Sequence, residues 1–266
     1  LGDVYKRQRM TLQVLVATMH QTDHSLLEKM NIQSDAIVVN QCNRNEVERF
    51  MYNGHQILWM SLNERGIGLS RNTALMRATA DIILFADEDV RYKDGYAQVI
   101  ESAFEKNRNA DMLLFDLEAI GDVKNPEKPY AFRRVKWYNS MHYGAVHFAC
   151  RRERAFARGL SYNLLFGGGA KYSCGEDSIF LASALKSGLK VWTVPGYIGS
   201  VTHGDSTWFN GYTDKYFYDK GILMGTIFGR MAYPLVIALF LKNRGQTRDY
   251  GLKKAIEKAF DGIKQR

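Results

Sequence analysis

The chain lacks the glycine signatures of the common nucleotide-handling folds. The turn after its first apolar segment, Thr18-Met19-His20-Gln21-Thr22-Asp23, contains no glycine. A dinucleotide-binding Rossmann unit needs glycines there to let the backbone approach a pyrophosphate. Gly66-Ile67-Gly68 supplies a G-x-G, but the next required position is Arg71. There is no Walker A motif and no G-x-S-x-G elbow, which argues against an NAD enzyme, a P-loop ATPase and an α/β-hydrolase. Cysteine is scarce as well. Cys42, Cys150 and Cys174 are widely spaced and form no C-x-x-C, so buried, reduced thiols of a cytosolic protein are expected. Long apolar runs are missing too. Arg230 and Pro234 interrupt residues 221–241, and the apolar part after Arg230, residues 231–241, falls short of the ~20 residues of a bilayer span. The first residues carry charge with no apolar segment behind them, so no secretory signal is expected.

What remains is an ordinary globular balance, with 46% hydrophobic and 24% charged residues in 266. That is enough for one large domain with an appendage. Residues 1–9 look foreign, because they do not lead into the first apolar segment and Met10 stands just before it. They hold three basic residues and one acid, so without them the net charge of +8 becomes +6. The remaining excess gathers at the other end, where residues 242–266 hold eight Lys/Arg against three Asp/Glu. This tail reads as an amphipathic helix, with Leu252, Ile256, Ala259, Phe260 and Ile263 on one face. Together with residues 221–241 it admits two readings. One is interfacial contact with an anionic membrane; the other is a buried C-terminal helical unit. Nucleic acid is not expected as a partner, since no stacking motif interleaves the basic residues.

Strand-like and helix-like segments alternate. Residues 12–17, 36–40, 57–60, 81–89 and 112–117 read as strands, and residues 25–30, 70–78 and 96–106 as helices, the second capped by Ser70. Such alternation defines an α/β protein with a mostly parallel, Rossmann-like central sheet flanked by helices. After residue 117 the rhythm breaks into a polar, basic loop over 121–139. A strand near 146–150, glycines at 167–169, a helix over 177–186 and a last strand over 190–194, stopped by Pro195-Gly196, follow.

The most informative stretch is residues 81–89, in which an apolar run ends in Asp87-Glu88-Asp89. Continuous apolarity suits a strand buried on both faces. Open α/β sheets bind ligands at the carboxyl ends of such strands. Asp87 and Asp89 are two apart, so extended backbone points both carboxylates the same way. Hard oxygen ligands without Cys or His suit Mg²⁺ or Mn²⁺, which bridge carboxylates to phosphates. An acidic turn after a core strand is the alternative.

These residues carry a resemblance. Gly68-Leu69-Ser70-Arg71-Asn72, the apolar strand after it and Asp87-Glu88-Asp89 resemble, in order and spacing, the central signature of family 2 glycosyltransferases. Gly175-Glu176-Asp177 resembles the family's later E-D motif, and Thr202-His203 the region of its metal-proximal histidine. The resemblance covers about residues 11–205. It implies a GT-A fold, a nucleotide-sugar donor, expected to be UDP-linked, and inversion at the anomeric carbon. Two departures stand out. The first strand leads into Ala17-Thr18-Met19-His20, and the second ends in neutral Asn40 and Gln41 where the family usually has acids.

The implied roles follow. Asp87, Asp89 and His203 hold Mn²⁺ or Mg²⁺, which stabilises charge on the leaving diphosphate. Thr18, Asn40, Arg71, Asp87 and Glu88 contact the donor, Asn40 as a neutral partner for a uracil edge. Arg71, read as lying at a helix N-terminus where a cation is unfavourable, is expected to serve an anion. Asp177 is the expected base for the acceptor hydroxyl, with Glu176 the alternative; capping of a helix N-terminus would also explain both acids. Trp137, Gly175 and Trp208 are expected to meet the acceptor, a glycan or lipid-linked saccharide. The expected organisation is a leader (1–9), a donor-binding half (10–118), an acceptor and catalytic half (119–205) and a helical, membrane-associating segment (206–266). The resemblance and the basic tail imply a bacterial surface-polysaccharide enzyme, cytoplasmic and peripheral at the inner face of the plasma membrane. A nucleotidyltransferase and an inactive carbohydrate-binding scaffold are the competing readings.

Overall fold

Each apolar run read as a strand is a strand. The computed structural model describes residues 10–121, 129–202 and 211–266. The leader, His203, Trp208 and the loop lysines Lys124 and Lys128 lie outside the described residues. In chain order the first elements are β1 (Leu12–Met19), α1 (Leu26–Lys29), β2 (Asp35–Gln41), β3 (Glu46–Tyr52), β4 (His55–Leu62), α2 (Ile67–Leu75), β5 (Ile82–Asp87), β6 (Val90–Tyr92) and α3 (Tyr96–Lys106). Then come β7 (Met112–Ile120), β8 (Arg133–Arg134), two 3₁₀ turns, β9 (Phe148–Arg151), α4 (Arg152–Ala157), α5 (Glu176–Lys186) and β10 (Val191–Thr202). Four helices close the chain: α6 (Asp214–Phe228), α7 (Ala232–Lys242), α8 (Arg244–Thr247) and α9 (Leu252–Lys264).

The ten strands form one sheet in the order β3-β4-β2-β1-β5-β9-β7-β10-β6, with β8 also on β10. β4, β2, β1, β5, β7 and β10 point the same way, and β3, β6, β8 and β9 run against them. Both faces are covered, as the unbroken apolar runs require. In β1 and β5, Val14, Val16, Leu84 and Ala86 face a core shared with α1 and α3, while Leu15, Ile83 and Phe85 face one shared with α2 and α5.

One element is new and two local expectations are corrected. The β3–β4 hairpin was not read from the sequence, although Asn53-Gly54 joins it with φ of 48° and 82°. Positive φ at both positions is what Asn-Gly supplies in a type I′ turn. α2 starts at Ile67 behind Gly66, so Ser70 lies inside the helix and does not cap it. β10 does not stop at Pro195-Gly196 but runs through them, and its pairing with β7 shifts register between Thr193 and Tyr197. Proline lacks the ladder N–H and glycine takes φ of 95° here, so the pair makes a bulge instead of an end. The thiol expectation also fails at one site. Cys42 and Cys150 are buried, but Cys174 is exposed.

The C-terminal helices form a unit with its own core, in which Phe217, Val236, Phe240, Ala255 and Ala259 are buried together. α6 and α9 touch backbone to backbone. A Cβ on Gly221 would stand 1.9 Å from the Ala259 carbonyl oxygen, and one on Gly262 2.2 Å from that of Tyr218. Residues 214–242 are apolar and long enough to cross a membrane by composition. Gly229, with φ of 62°, breaks this run between α6 and α7, and α6 is committed to the protein interior.

Candidate active site

The parallel strands bring their carboxyl ends to one edge of the sheet. Thr18 of β1 pairs with Asn40 of β2, which pairs with Ser61 of β4, and Ala17 lies beside Asp87 of β5. This row is the floor of the site.

Asn40 is fully buried and saturated. Its Oδ1 accepts from the Gln21 N–H at 3.0 Å, and its Nδ2 donates to the Gln21 carbonyl at 2.9 Å and to Ser61 Oγ at 3.2 Å. The expectation that Asn40 meets the uracil edge is therefore corrected: it clamps the Gln21 loop. Gln41 Oε1 likewise accepts from Gly66 N–H at 2.7 Å. Gln21, which the sequence did not single out, is held in place with its side chain toward Thr18 Oγ1 and Glu88 Oε2, each 3.0 Å away. Thr18, itself buried, also donates to Glu88, as does the Met19 N–H. Thr18 and Glu88 thus join β1 to the acidic turn.

Arg71 carries the centre of the site. Burial in the middle of α2 leaves it 4% exposed, so the reading that placed it at a helix N-terminus is corrected. Its anions are the protein's own. Nη2 donates to Asp87 Oδ1 and Oδ2 at 2.9 and 3.0 Å, and Nη1 to Glu176 Oε1 at 2.8 Å. Burial alone would favour its neutral form, but Asp87 and Glu176 hold its pKa above the ordinary arginine value. The guanidinium lies 5.3 Å from the Tyr162 ring centre, and Tyr162 stacks on Phe180 of α5 at 4.3 Å. The neighbouring Asn72 pins the same loop, donating to the Tyr162 carbonyl at 2.9 Å and accepting from its N–H at 2.7 Å. The Arg71-Asn72 pair therefore fastens β5, α5 and the 162 loop together, a duty no sequence pattern disclosed.

Asp177 and Glu176 open α5, and the structure separates their roles. Glu176 is 9% exposed and held by Arg71. Asp177 is half-buried. One of its oxygens accepts from its neighbour's N–H, Ser178, at 2.7 Å, and the other lies over Gly144. Burial, then the negative charge of Glu176, push its pKa from 3.8 up to about 6, against the pull of Arg71. Gly175 is buried, and a Cβ there would stand 2.5 Å from Leu223. Its need is close packing against α6. Trp137 is 46% exposed at the start of a 3₁₀ turn and tilts against Phe228.

For the expected metal, the donor set is the test. Among the described residues no group of three His, Cys, Asp or Glu stands ready to hold an ion. Both oxygens of Asp87 already face Arg71, which compensates its charge. Asp89 is exposed in the same turn, and its carbonyl accepts from the N–H of Thr202, the residue before His203, at 3.2 Å. Asp89 carries a hard carboxylate of the kind a divalent ion takes, and Asp87 is already engaged by Arg71.

The mixed, helix-flanked sheet, with an acidic turn after β5 and two acids at the head of α5, has the GT-A fold. The family model "Glycosyl transferase family 2" matches residues 16–160, more than half of the chain, and the chain belongs to that family. Among solved structures it is similar to S. aureus TarS residues 1–349 in complex with UDP-GlcNAc. That match has a TM-score of 0.60 and 14% identity, and covers 83% of this chain and 67% of that one. The same fragment with UDP matches at 0.60 and 15% identity, covering 83% of this chain and 66% of that one. The longer S. aureus TarS chain matches at 0.57 and 13% identity, covering 81% of this chain and 39% of that one. The chain therefore spans about two thirds of the fragment and well under half of the longer protein. No curated protein matches the sequence.

Proposed function

We propose that this glycosyltransferase moves a sugar from a UDP-linked donor to a hydroxyl of a glycan or lipid-linked saccharide, with inversion and with Asp177 as base. The observation that carries the reading is the difference between the two acids at the head of α5. Glu176 is neutralised by Arg71, while Asp177 keeps an oxygen over Gly144 and a pKa of about 6. A base works best when its pKa lies near the operating pH. As the acceptor oxygen bonds to the anomeric carbon and the bond to the diphosphate breaks, Asp177 takes the hydroxyl proton. Asp87, fixed by Arg71, and the Gln21 loop, fixed by Asn40, would hold the nucleoside end of the donor.

Asp89 is the described residue that would hold Mn²⁺ or Mg²⁺, with His203 as the expected partner. The ion, when bound, supplies Lewis-acid stabilisation of the leaving diphosphate. The UDP and UDP-GlcNAc bound to S. aureus TarS support a uridine donor for this fold. The same proposal takes in a role in bacterial surface-polysaccharide synthesis on the cytoplasmic side, with Trp137 and Trp208 on the acceptor side.

The test is Asp177→Asn, read by UDP release from UDP-sugars and by UDP binding. A general base contributes ~10²–10⁴-fold, so turnover falls by that much while UDP affinity stays within about twofold of the parent. Retained turnover in this variant would remove Asp177 from the mechanism.

A further inference from the structure

Helix α7 is apolar on both sides, and only one side has a protein partner among the described residues. Ala232, Val236 and Phe240 are fully buried toward α6 and α9. The opposite side exposes Pro234, Ile237, Ala238 and Leu241, preceded by Met231. Met231 is 56% exposed, Ile237 38% and Leu241 44%. Positions 234, 237, 238 and 241 form one helical stripe. Single exposed apolar residues are ordinary, but a contiguous stripe marks an interaction surface.

Cations stand at both ends of this stripe. Arg230 lies four residues before Pro234, Lys242 four after Ala238, and Arg244 and Arg248 follow; all four are exposed. None forms an ion pair among the described residues. On the same helical unit Lys215 pairs with Asp219, and Lys254 and Lys258 pair with Asp214. No acid occurs between Asp219 and Asp249. The apolar stripe therefore lies within a stretch of one sign of charge that the protein leaves uncompensated.

We propose that α7 lies flat on an anionic lipid bilayer, with its outer stripe among the acyl chains and Arg230, Lys242, Arg244 and Arg248 at the headgroup phosphates. At ~1.5 Å per residue an eleven-residue helix is ~16 Å long, half of the ~30 Å hydrocarbon core. α6 cannot add the missing length, because Gly221 holds it against Ala259 and its buried Asp219 accepts from Ser173. Lying in the interface is the geometry left to such a helix. A second copy of the chain is disfavoured by the same charges. Two-fold pairing along α7 sets like charges against like at each end of the stripe.

The test is co-sedimentation of the protein with phosphatidylcholine vesicles, with and without phosphatidylglycerol, in low and high salt. No nucleotide is needed, so the outcome is independent of the donor and base assignments. The protein binds the anionic vesicles, and binding weakens with salt. Each basic residue near such a surface is worth about fivefold in partitioning, so Arg244→Gln with Arg248→Gln lowers binding by roughly twenty- to thirtyfold. Leu241→Glu lowers it by more than tenfold, and all variants keep the parent's melting temperature and UDP release. Failure to bind anionic vesicles, or binding indifferent to these substitutions, overturns the proposal. So does a dimer in sedimentation velocity that Leu241→Glu dissolves.

Discussion

Arg71 and Glu176 are 105 residues apart in sequence and meet at 2.8 Å in the interior. The second nitrogen of the same guanidinium holds Asp87 at the end of β5. One side chain thus sets the distance between the acidic turn and the head of α5. A planar fork suits this duty, whereas a lysine ammonium offers a single point charge.

Arg71→Lys therefore fails on two counts. A lysine reaches only one of the two carboxylates, and an acid left buried without its partner costs up to ~3–5 kcal/mol, which shows as a lowered urea midpoint. Misplacing Asp87 relative to Asp177 by as little as ~1 Å lowers UDP release by roughly a hundredfold. Both readings are taken on the same variant, at a temperature where it remains folded.

The raised pKa of Asp177 predicts a pH signature in activity and an opposite one in stability. Transfer needs the carboxylate, so the rate falls as pH drops through about 6, and Asp177→Asn removes this limb. The folded state holds the proton more tightly than the unfolded chain. The stabilisation from protonation is thus full below the ordinary value of 3.8 and lost as pH rises through about 6. Asp177→Asn should therefore melt higher than the parent at pH 8, with the difference shrinking at pH 4. An unchanged acid limb in this variant would assign the titration elsewhere.

Asn40→Asp would restore the acid that the family usually carries at this strand end, and it should harm this protein. The amide donates to the Gln21 carbonyl, which a carboxylate would face with lone pairs. A buried acceptor left without its donor costs ~1–3 kcal/mol. Thermal unfolding should show that loss, and UDP affinity should drop as the Gln21 loop loosens.

At the other end of the chain, Gly221→Ala would place a methyl group 1.9 Å from a backbone oxygen of α9. Backbone cannot move aside as a flexible side chain does, so the cost reaches or exceeds the ~3 kcal/mol upper end of overpacking. Limited proteolysis should then cut within α9 in the variant before it cuts in the parent.

The sequence disclosed the parallel strands because burial on both faces leaves an unbroken apolar run, as in residues 82–86. The acids were equally visible, and the structure puts Asp87, Glu88 and Asp89 at the end of β5 and Glu176 and Asp177 at the head of α5. What the sequence hid was pairing. Nothing local distinguishes an Arg71 that meets a phosphate from one that meets Asp87 and Glu176, because its partners are set by tertiary packing. Asn40 misled for the same reason: its spacing fits a ligand contact, but its hydrogen bonds are spent on Gln21 and Ser61. β3 was missed because it is an exposed edge strand with polar alternation, and only the Asn53-Gly54 turn after it gave a signal. Pro195-Gly196 read as a stop because a bulge needs the same residues as an end.

The most direct test of the account is calorimetric titration of UDP into residues 10–266, with and without Mn²⁺, beside Asp89→Ala. The account predicts saturable binding that Mn²⁺ strengthens, with the metal effect lost in Asp89→Ala and the binding itself retained. No binding of UDP under any of these conditions would contradict it, leaving the acidic turn as a structural feature of the fold.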